Sequence, residues 1–184
     1  MKSDYLFSGK LKDGRDVTLR HVLEEDAAAM IELVTTVIAE TRFVTREPGE
    51  FDMSLEQEAK HLRKVYENEQ RFWLVAVVDG RIVGSCEAGI VSSRLRFRHR
   101  ANMGISVIKE FWGLGIGRMM LGEIINWCKN AGFEQLELGV VADNARAISL
   151  YKSFGFEITG TVPRQMKYPD GTYADEYLMT LFLK

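Results

Sequence analysis

The 184-residue sequence has only two cysteines, three prolines and three histidines, and no long apolar run. Cys86 and Cys128 cannot build a disulfide framework, and no C-x-x-C pair offers a zinc site. His21, His61 and His99 lie too far apart in sequence for metal-ligand spacing, so no metal is expected. No stretch approaches the ~18–20 apolar residues of a membrane span, and the amino-terminal "MKSDYLFSGK" lacks the apolar core of a secretory signal. A large excess of one charge is also missing. The formal net charge of −2 predicts no general attraction to nucleic acid or to an anionic membrane. These absences make a reducing cytoplasm the expected location. With 46% hydrophobic and 27% charged residues, the chain is expected to form one globular domain over 1–184 with a full core.

What is present reads as strands and helices in a definite order. Residues 5–22 predict a hairpin turning at Asp13–Gly14, and 72–93 a second one turning at Asp79–Gly80. "EEDAAAMIELVTTVIAET" (24–41) has helical apolar spacing with acids in its first turn, and its Thr-Thr-Val patch predicts an interruption. After a loop at 46–52, Ser54 and Gln57 make a capping box for a helix to about Asn68. Next come a strand ending in "GISVI" (104–108), a helix over 118–131 stopped by Gly132, a strand over 133–141 and a short helix over 143–154. A last hairpin turns at "PDG" (169–171). The expected fold class is mixed α/β (α+β), with a mostly antiparallel central sheet and helices on both faces.

Between "GISVI" and the helix that follows, "EFWGLGIGRMM" (110–120) sets Gly113, Gly115 and Gly117 at every second position. Glycine loses more backbone entropy on folding than any other residue, so the run costs stability unless bare backbone is needed there. Open N–H groups and the dipole at a helix start bind anions, and glycine lets a phosphate oxygen reach several of them at once. Three glycines before an amphipathic helix favour a phosphate cradle over a merely flexible loop. The P-loop pattern G-x-x-x-x-G-K-[ST] is absent. The dinucleotide pattern G-x-G-x-x-G fails at Arg118, and "KEFW" separates the glycines from the strand, although Glu137 sits about where a ribose-binding acid would.

Two blocks within 103–157 carry a resemblance. Gly115 and Gly117 meet the glycine positions of a Gln/Arg-x-x-Gly-x-Gly/Ala motif that follows a strand and opens a helix, with Trp112 standing where Gln or Arg is usual. "NARAISLYKSFGF" (144–156) supplies the second block almost position by position. In both, the segment resembles the core of the GCN5-related N-acetyltransferases, the GNAT superfamily; elsewhere the likeness is one of element order and small cues. The resemblance implies acetyl-CoA as co-substrate. Its pyrophosphate would lie on the backbone of Gly113, Leu114, Gly115, Ile116, Gly117 and Arg118, and its pantetheine along the strand edge at Ile105, Ser106 and Val107. Asn144 would contact the cofactor arm, a backbone N–H near Val107 would face the oxyanion, and Trp112 would cost one side-chain contact. By spacing alone Tyr151 reads as a core aromatic with Ala147 and Ile148; the family match makes it the general acid. Where many relatives carry a basic glutamate this chain has Asn102 and Met103. Glu87 and His99 are candidates for that role, though a structural part is the plainer reading of each.

The activity so implied is acetyl transfer to a primary amine of a small molecule, by direct attack in a ternary complex. A protein amino terminus, as in ribosomal-protein acetyltransferases, is the second choice, and a non-catalytic acyl-CoA-binding module is a rival of another class. A homodimer is common among relatives. Three further features have plainer readings. "RLRFRHR" (94–100) would line up Arg94, Arg96, Arg98 and Arg100 on one face if extended, as a solvated edge more than an anion site. Asp170, Asp175 and Glu176 near the last turn suit either a cationic amine or ordinary hairpin surface. Cys128, mid-helix, suits the core.

Overall fold

The computed structural model describes residues 5–184; the first four residues of "MKSDYLFSGK" lie outside the described ones. Among the described residues are eight strands: β1 (Leu6–Lys10), β2 (Asp16–His21), β3 (Arg71–Val78), β4 (Arg81–Ile90), β5 (Arg100–Val107), β6 (Gln135–Val141), β7 (Glu157–Lys167) and β8 (Tyr173–Phe182). The helices are α1 (Ala27–Glu40), α2 (Leu55–Glu67), α3 (Ile116–Asn130) and α4 (Ala145–Lys152). No helix among the described residues is long and apolar enough to cross a membrane. The pairings β1–β2, β2–β3, β3–β4, β6–β8 and β7–β8 are antiparallel and β5–β6 is parallel, the mixed, mostly antiparallel pattern expected. The chain divides into two compact units, one running to Gly89 and adding Gly104–Trp127, the other Ile90–Met103 with Cys128–Lys184.

The first unit is built from short-range signals. Asp79 and Gly80 both take positive φ (51° and 78°), the primed turn that matches strand twist. Ser54 Oγ accepts from Gln57 N–H at 3.2 Å and the Gln57 side chain accepts from Ser54 N–H at 2.8 Å, so the capping box starts α2 as read. The acids at 24–26 form a separate 3₁₀ turn, in which Arg20 grips the Asp26 carboxylate at 2.6 and 2.7 Å. α1 then runs unbroken through Thr35, Thr36 and Val37, against the predicted interruption. Thr35 Oγ1 donates back to the Ile31 carbonyl at 2.8 Å, while Val37 and Ile38 are buried. Burial of that stripe outweighs the few tenths of a kcal/mol that β-branching costs a helix. Trp73 of β3 meets His61 of α2 edge-on at 5.7 Å, and its neighbour Phe72 stacks on Trp127 of α3 at 5.4 Å. Adjacent strand residues face opposite sides, so β3 carries helices on both faces.

The second unit holds β6, β8 and β7 in that order, and Arg100–Asn102 of β5 pair with Gln135–Glu137 of β6. Glu137 is fully engaged by the Arg100 guanidinium, which takes both carboxylate oxygens and makes it an inter-strand clamp, not a ribose acid. The arginine run departs from its expected extended form. Phe97 and Arg98 N–H groups donate to the Arg94 carbonyl at 2.8 and 3.0 Å, so residues 94–99 curl into a turn and β5 begins only at Arg100. The acids near the last turn are hairpin structure. Asp170 accepts from Thr172 N–H (2.8 Å) and Oγ1–H (2.6 Å), Asp175 accepts from Arg164 N–H (2.8 Å), and the Glu176 carboxylate packs against Gly139.

Cys86 and Cys128 are buried, and burial pushes the Cys128 thiol pKa up to about 12 because the thiolate would lose its hydration. Both thiols are therefore expected to stay silent to dithionitrobenzoate in the folded protein and to react on unfolding. Rapid labelling of the folded protein would contradict this placement.

Candidate functional site

The glycine run sits where a strand hands over to a helix. Ile108 N–H donates to the Val83 carbonyl at 3.0 Å and ends β5 against β4. A 3₁₀ turn, Lys109–Phe111, follows. Phe111 is buried with the Arg15 guanidinium 4.6 Å over its ring, and Lys109 N–H donates to the Glu40 carboxylate of α1 at 2.6 Å. Gly113 and Gly115 take φ of 79° and 105°, a region L side chains avoid. A Cβ on Gly113 would meet nothing within 4 Å, so torsion and not crowding selects glycine there.

α3 begins at Ile116, two residues before the expected start, which draws Gly117 and Arg118 into its first turn. Its opening backbone bond is Met119 N–H to the Gly115 carbonyl at 3.1 Å. Among the described residues no acceptor takes the N–H groups of Gly113, Leu114, Gly115, Ile116 or Gly117. No acid stands in that first turn to neutralise the positive end of the helix. Arg118 there is exposed and adds a cation. Open donors, a helix dipole and bare backbone are together the features of a candidate anion site.

The strand before it is joined to this loop. Trp112 Nε1–H donates to the Val107 carbonyl at 2.6 Å, which clips the start of the glycine run to the tip of β5. Ile105, Ser106 and Val107 are half-buried. A Cβ on Gly84 of β4 would come within 2.9 Å of the Ser106 carbonyl, so the close approach of β4 to β5 at this point requires glycine. The strand edge and the cradle, predicted separately, thus form one constellation in the first unit. Sequence reading treated Trp112 only as a lost contact; its clip depends on a partner five residues away across a turn, which no motif signals. Trp112→Phe keeps the ring and deletes the donor, a bond worth ~0.5–1.5 kcal/mol. Acetyl-CoA affinity measured by calorimetry is expected to fall about threefold to tenfold; an unchanged value would leave the clip no part in binding.

In the second unit, α4 carries the other predicted residues. Asn144 caps it, its side-chain oxygen accepting from Ala147 N–H at 3.2 Å, which leaves the amide NH₂ available as a donor. Tyr151 is 6% exposed and its ring lies 5.7 Å from that of Phe156. Gly155, at φ 92°, closes the helix. Of the candidates for a base, Glu87 is tied to Arg71 at 2.7 Å, and His99 contributes its backbone carbonyl to Glu134 N–H at 2.8 Å.

One buried acid was not singled out from sequence. Glu58 of α2 is 3% exposed, on the same stripe as Leu62 and Val65. The spacing of four and three residues was the available signal, since it places an acid where an apolar residue is expected. Burial raises its pKa above the usual carboxylate range, against the opposing charges of His61 and Arg46.

Comparison with known proteins places the fold in a family. The family model described as the acetyltransferase (GNAT) family matches residues 34–156. The L-amino acid N-acetyltransferase AaaT of Escherichia coli is 38% identical over 107 residues, which is 58% of this chain and 65% of that protein; the chain thus spans just under two thirds of that relative's length. A GNAT-family acetyltransferase from Streptococcus pneumoniae superposes with a TM-score of 0.85 at 28% identity, covering 90% of this chain and 99% of that one. The ribosomal-protein-alanine N-acetyltransferase of Brucella melitensis does so with a TM-score of 0.78 at 27% identity, covering 89% and 98%. The matched stretch takes in β5, the glycine-bearing entrance to α3 and the whole of α4, and the chain belongs to the GNAT acetyltransferase family.

Proposed function

We propose that this chain transfers the acetyl group of acetyl-CoA to the primary amine of a small molecule, by direct attack within a ternary complex. The observation that carries the reading is the run of unpartnered N–H groups from Gly113 to Gly117 at the positive end of α3, a fit for the diphosphate of coenzyme A. The half-buried edge Ile105–Val107, clipped to that run by Trp112, suits the pantetheine arm, and the Asn144 NH₂ suits a further contact with it. The acceptor must attack as a free amine, although an ordinary amine of pKa ~10.4 is protonated at neutral pH. As the carbon–nitrogen bond forms, negative charge gathers on the thioester oxygen. A backbone N–H near Val107 would stabilise it, a contact often worth ~2.7–4 kcal/mol. The carbon–sulfur bond then breaks, the Tyr151 phenol gives its proton to the departing thiolate, and the proton shed by the new amide nitrogen passes to solvent, from which the phenol is restored. The whole chain acts as one catalytic domain in this reading, and a reducing cytoplasm suits its free thiols.

The test is thiol release on mixing the protein with acetyl-CoA and a panel of amines and peptides. Thiol that appears only with an acceptor supports the enzyme. A module that merely binds acyl-CoA would take up acetyl-CoA and release none. The likeness to the Brucella melitensis enzyme favours one second reading, acetylation of a protein amino terminus, and turnover confined to peptides would establish it.

A further inference from the structure

The second unit has a cavity on one face of its sheet and, against its wall, an acid with no partner. The cavity, about 490 Å³, is walled by Asn102 of β5, Gln135 and Gly139 of β6, and Leu178, Thr180 and Phe182 of β8. Alternate residues of a strand share a face, so Glu176 is the next member of the row Leu178, Thr180, Phe182. Leu181 turns the other way, towards the end of α4, where a Cβ on Gly155 would lie 3.5 Å from its Cδ1 atom. Glu176 is half-buried, and its carboxylate lies across Gly139: a Cβ there would come within 2.7 Å of the Glu176 Cδ atom. The bare backbone at 139 is what lets the carboxylate reach the cavity wall.

Among the described residues the Glu176 carboxylate has no hydrogen bond and no ion pair. Its neighbours are committed: Glu137 to the Arg100 guanidinium, Asp170 to Thr172 N–H at 2.8 Å and Asp175 to Arg164 N–H at 2.8 Å. A half-buried carboxylate loses hydration and is repaid only when a donor arrives. No three His, Cys, Asp or Glu side chains gather among the described residues to hold a metal ion, and the complementary charge for one carboxylate is an ammonium. Glu176 also stands opposite Val141 in the β6–β8 register. The Val141 carbonyl accepts Asn144 N–H at 2.9 Å, where the chain enters α4. The carboxyl end of β6 therefore faces this acid and leads directly into the helix of Asn144 and Tyr151.

We infer that this cavity takes the acceptor and that Glu176 holds the acceptor's ammonium there. The inference rests on the acetyltransferase reading and adds to it the residue that selects a cation. The ammonium is the abundant form of an amine at neutral pH, so an anion that gathers it also fixes the nitrogen that later attacks. Asn102, Leu178 and Phe182 are exposed and keep the cavity open to water, to which the surplus proton passes before attack.

The unaltered protein is first given the L-amino acids, ethanolamine, putrescine and alanyl-glycine with acetyl-CoA, and the amine with the fastest thiol release becomes the probe. Glu176→Gln removes the charge and keeps the shape. It is expected to raise KM for the probe at least tenfold, the loss falling on KM and not on kcat, with acetyl-CoA affinity by calorimetry kept within about twofold. Gly139→Ala puts a methyl group where the carboxylate lies. It should raise KM at least threefold when Glu176 is present and leave it unmoved in the Glu176→Gln background, a dependence that a merely structural part would not produce. An unmoved KM in Glu176→Gln overturns the inference, and so does a Gly139→Ala effect that persists without the carboxylate or a fall in acetyl-CoA affinity in either variant. Should neither variant fold, the unaltered protein decides. The alcohol that carries a hydroxyl in place of the probe's ammonium should inhibit with a constant at least tenfold above the probe's KM, and a smaller gap overturns the inference. Thiol release from no amine at all would sink the acetyltransferase reading and the anchor together, whereas turnover with an unmoved KM sinks the anchor alone.

Discussion

Gly115→Val is expected to weaken acetyl-CoA binding a hundredfold or more. Gly115 holds φ at 105°, and an L side chain there costs about 1–3 kcal/mol or forces the loop to turn. Packing is not at stake, because a Cβ would meet only the Met119 Cε atom, at 3.9 Å. Turning the loop swings the N–H groups of Leu114, Gly115 and Ile116 out of convergence. Losing two hydrogen bonds to a charged phosphate, at ~1.5–3 kcal/mol each, accounts for two orders of magnitude or more. Calorimetry with acetyl-CoA reads the loss. Gly171→Val is the control, since Gly171 has a φ of 85° with open space around it but lies in the turn between β7 and β8. It should lower thermal stability by a comparable amount and leave the affinity alone. If the two variants bind acetyl-CoA equally well, the cradle has been misread.

Tyr151→Phe is expected to lower kcat by ~10²–10⁴, the range of general acid catalysis, with acetyl-CoA affinity kept within about twofold. The substitution retains the ring that packs against Phe156 and removes only the phenolic oxygen. A fall in kcat and kcat/KM by the same factor would mark a contribution made in the transition state alone. Unchanged turnover would return the residue to the role its 6% exposure also suits, that of a core aromatic.

The parts of the fold that could be read in advance were those whose causes lie within a few residues. The Asp79–Gly80 turn, the Ser54–Gln57 box and the stop at Gly155 are each complete in a local window, and the structure has all three. The glycine run was legible for the same reason: a helix entrance with bare backbone announces open donors. The misses involve partners further off. α1 was expected to break at its threonines, but Val37 and Ile38 are held in the core and keep it whole. The arginines of 94–100 alternate as a strand would, yet the Arg94 carbonyl collects two N–H groups and coils them. Glu58 lay hidden among the acids of an amphipathic helix, and only its burial distinguishes it from its exposed neighbours.

The bond from Trp112 to Val107 also bears on how much order is in place before any ligand arrives. Because the indole pins the start of the glycine run to the tip of β5, the open amides are already arrayed and need not be gathered by whatever lands on them. A surface prepared in this way gives up little freedom when it is filled.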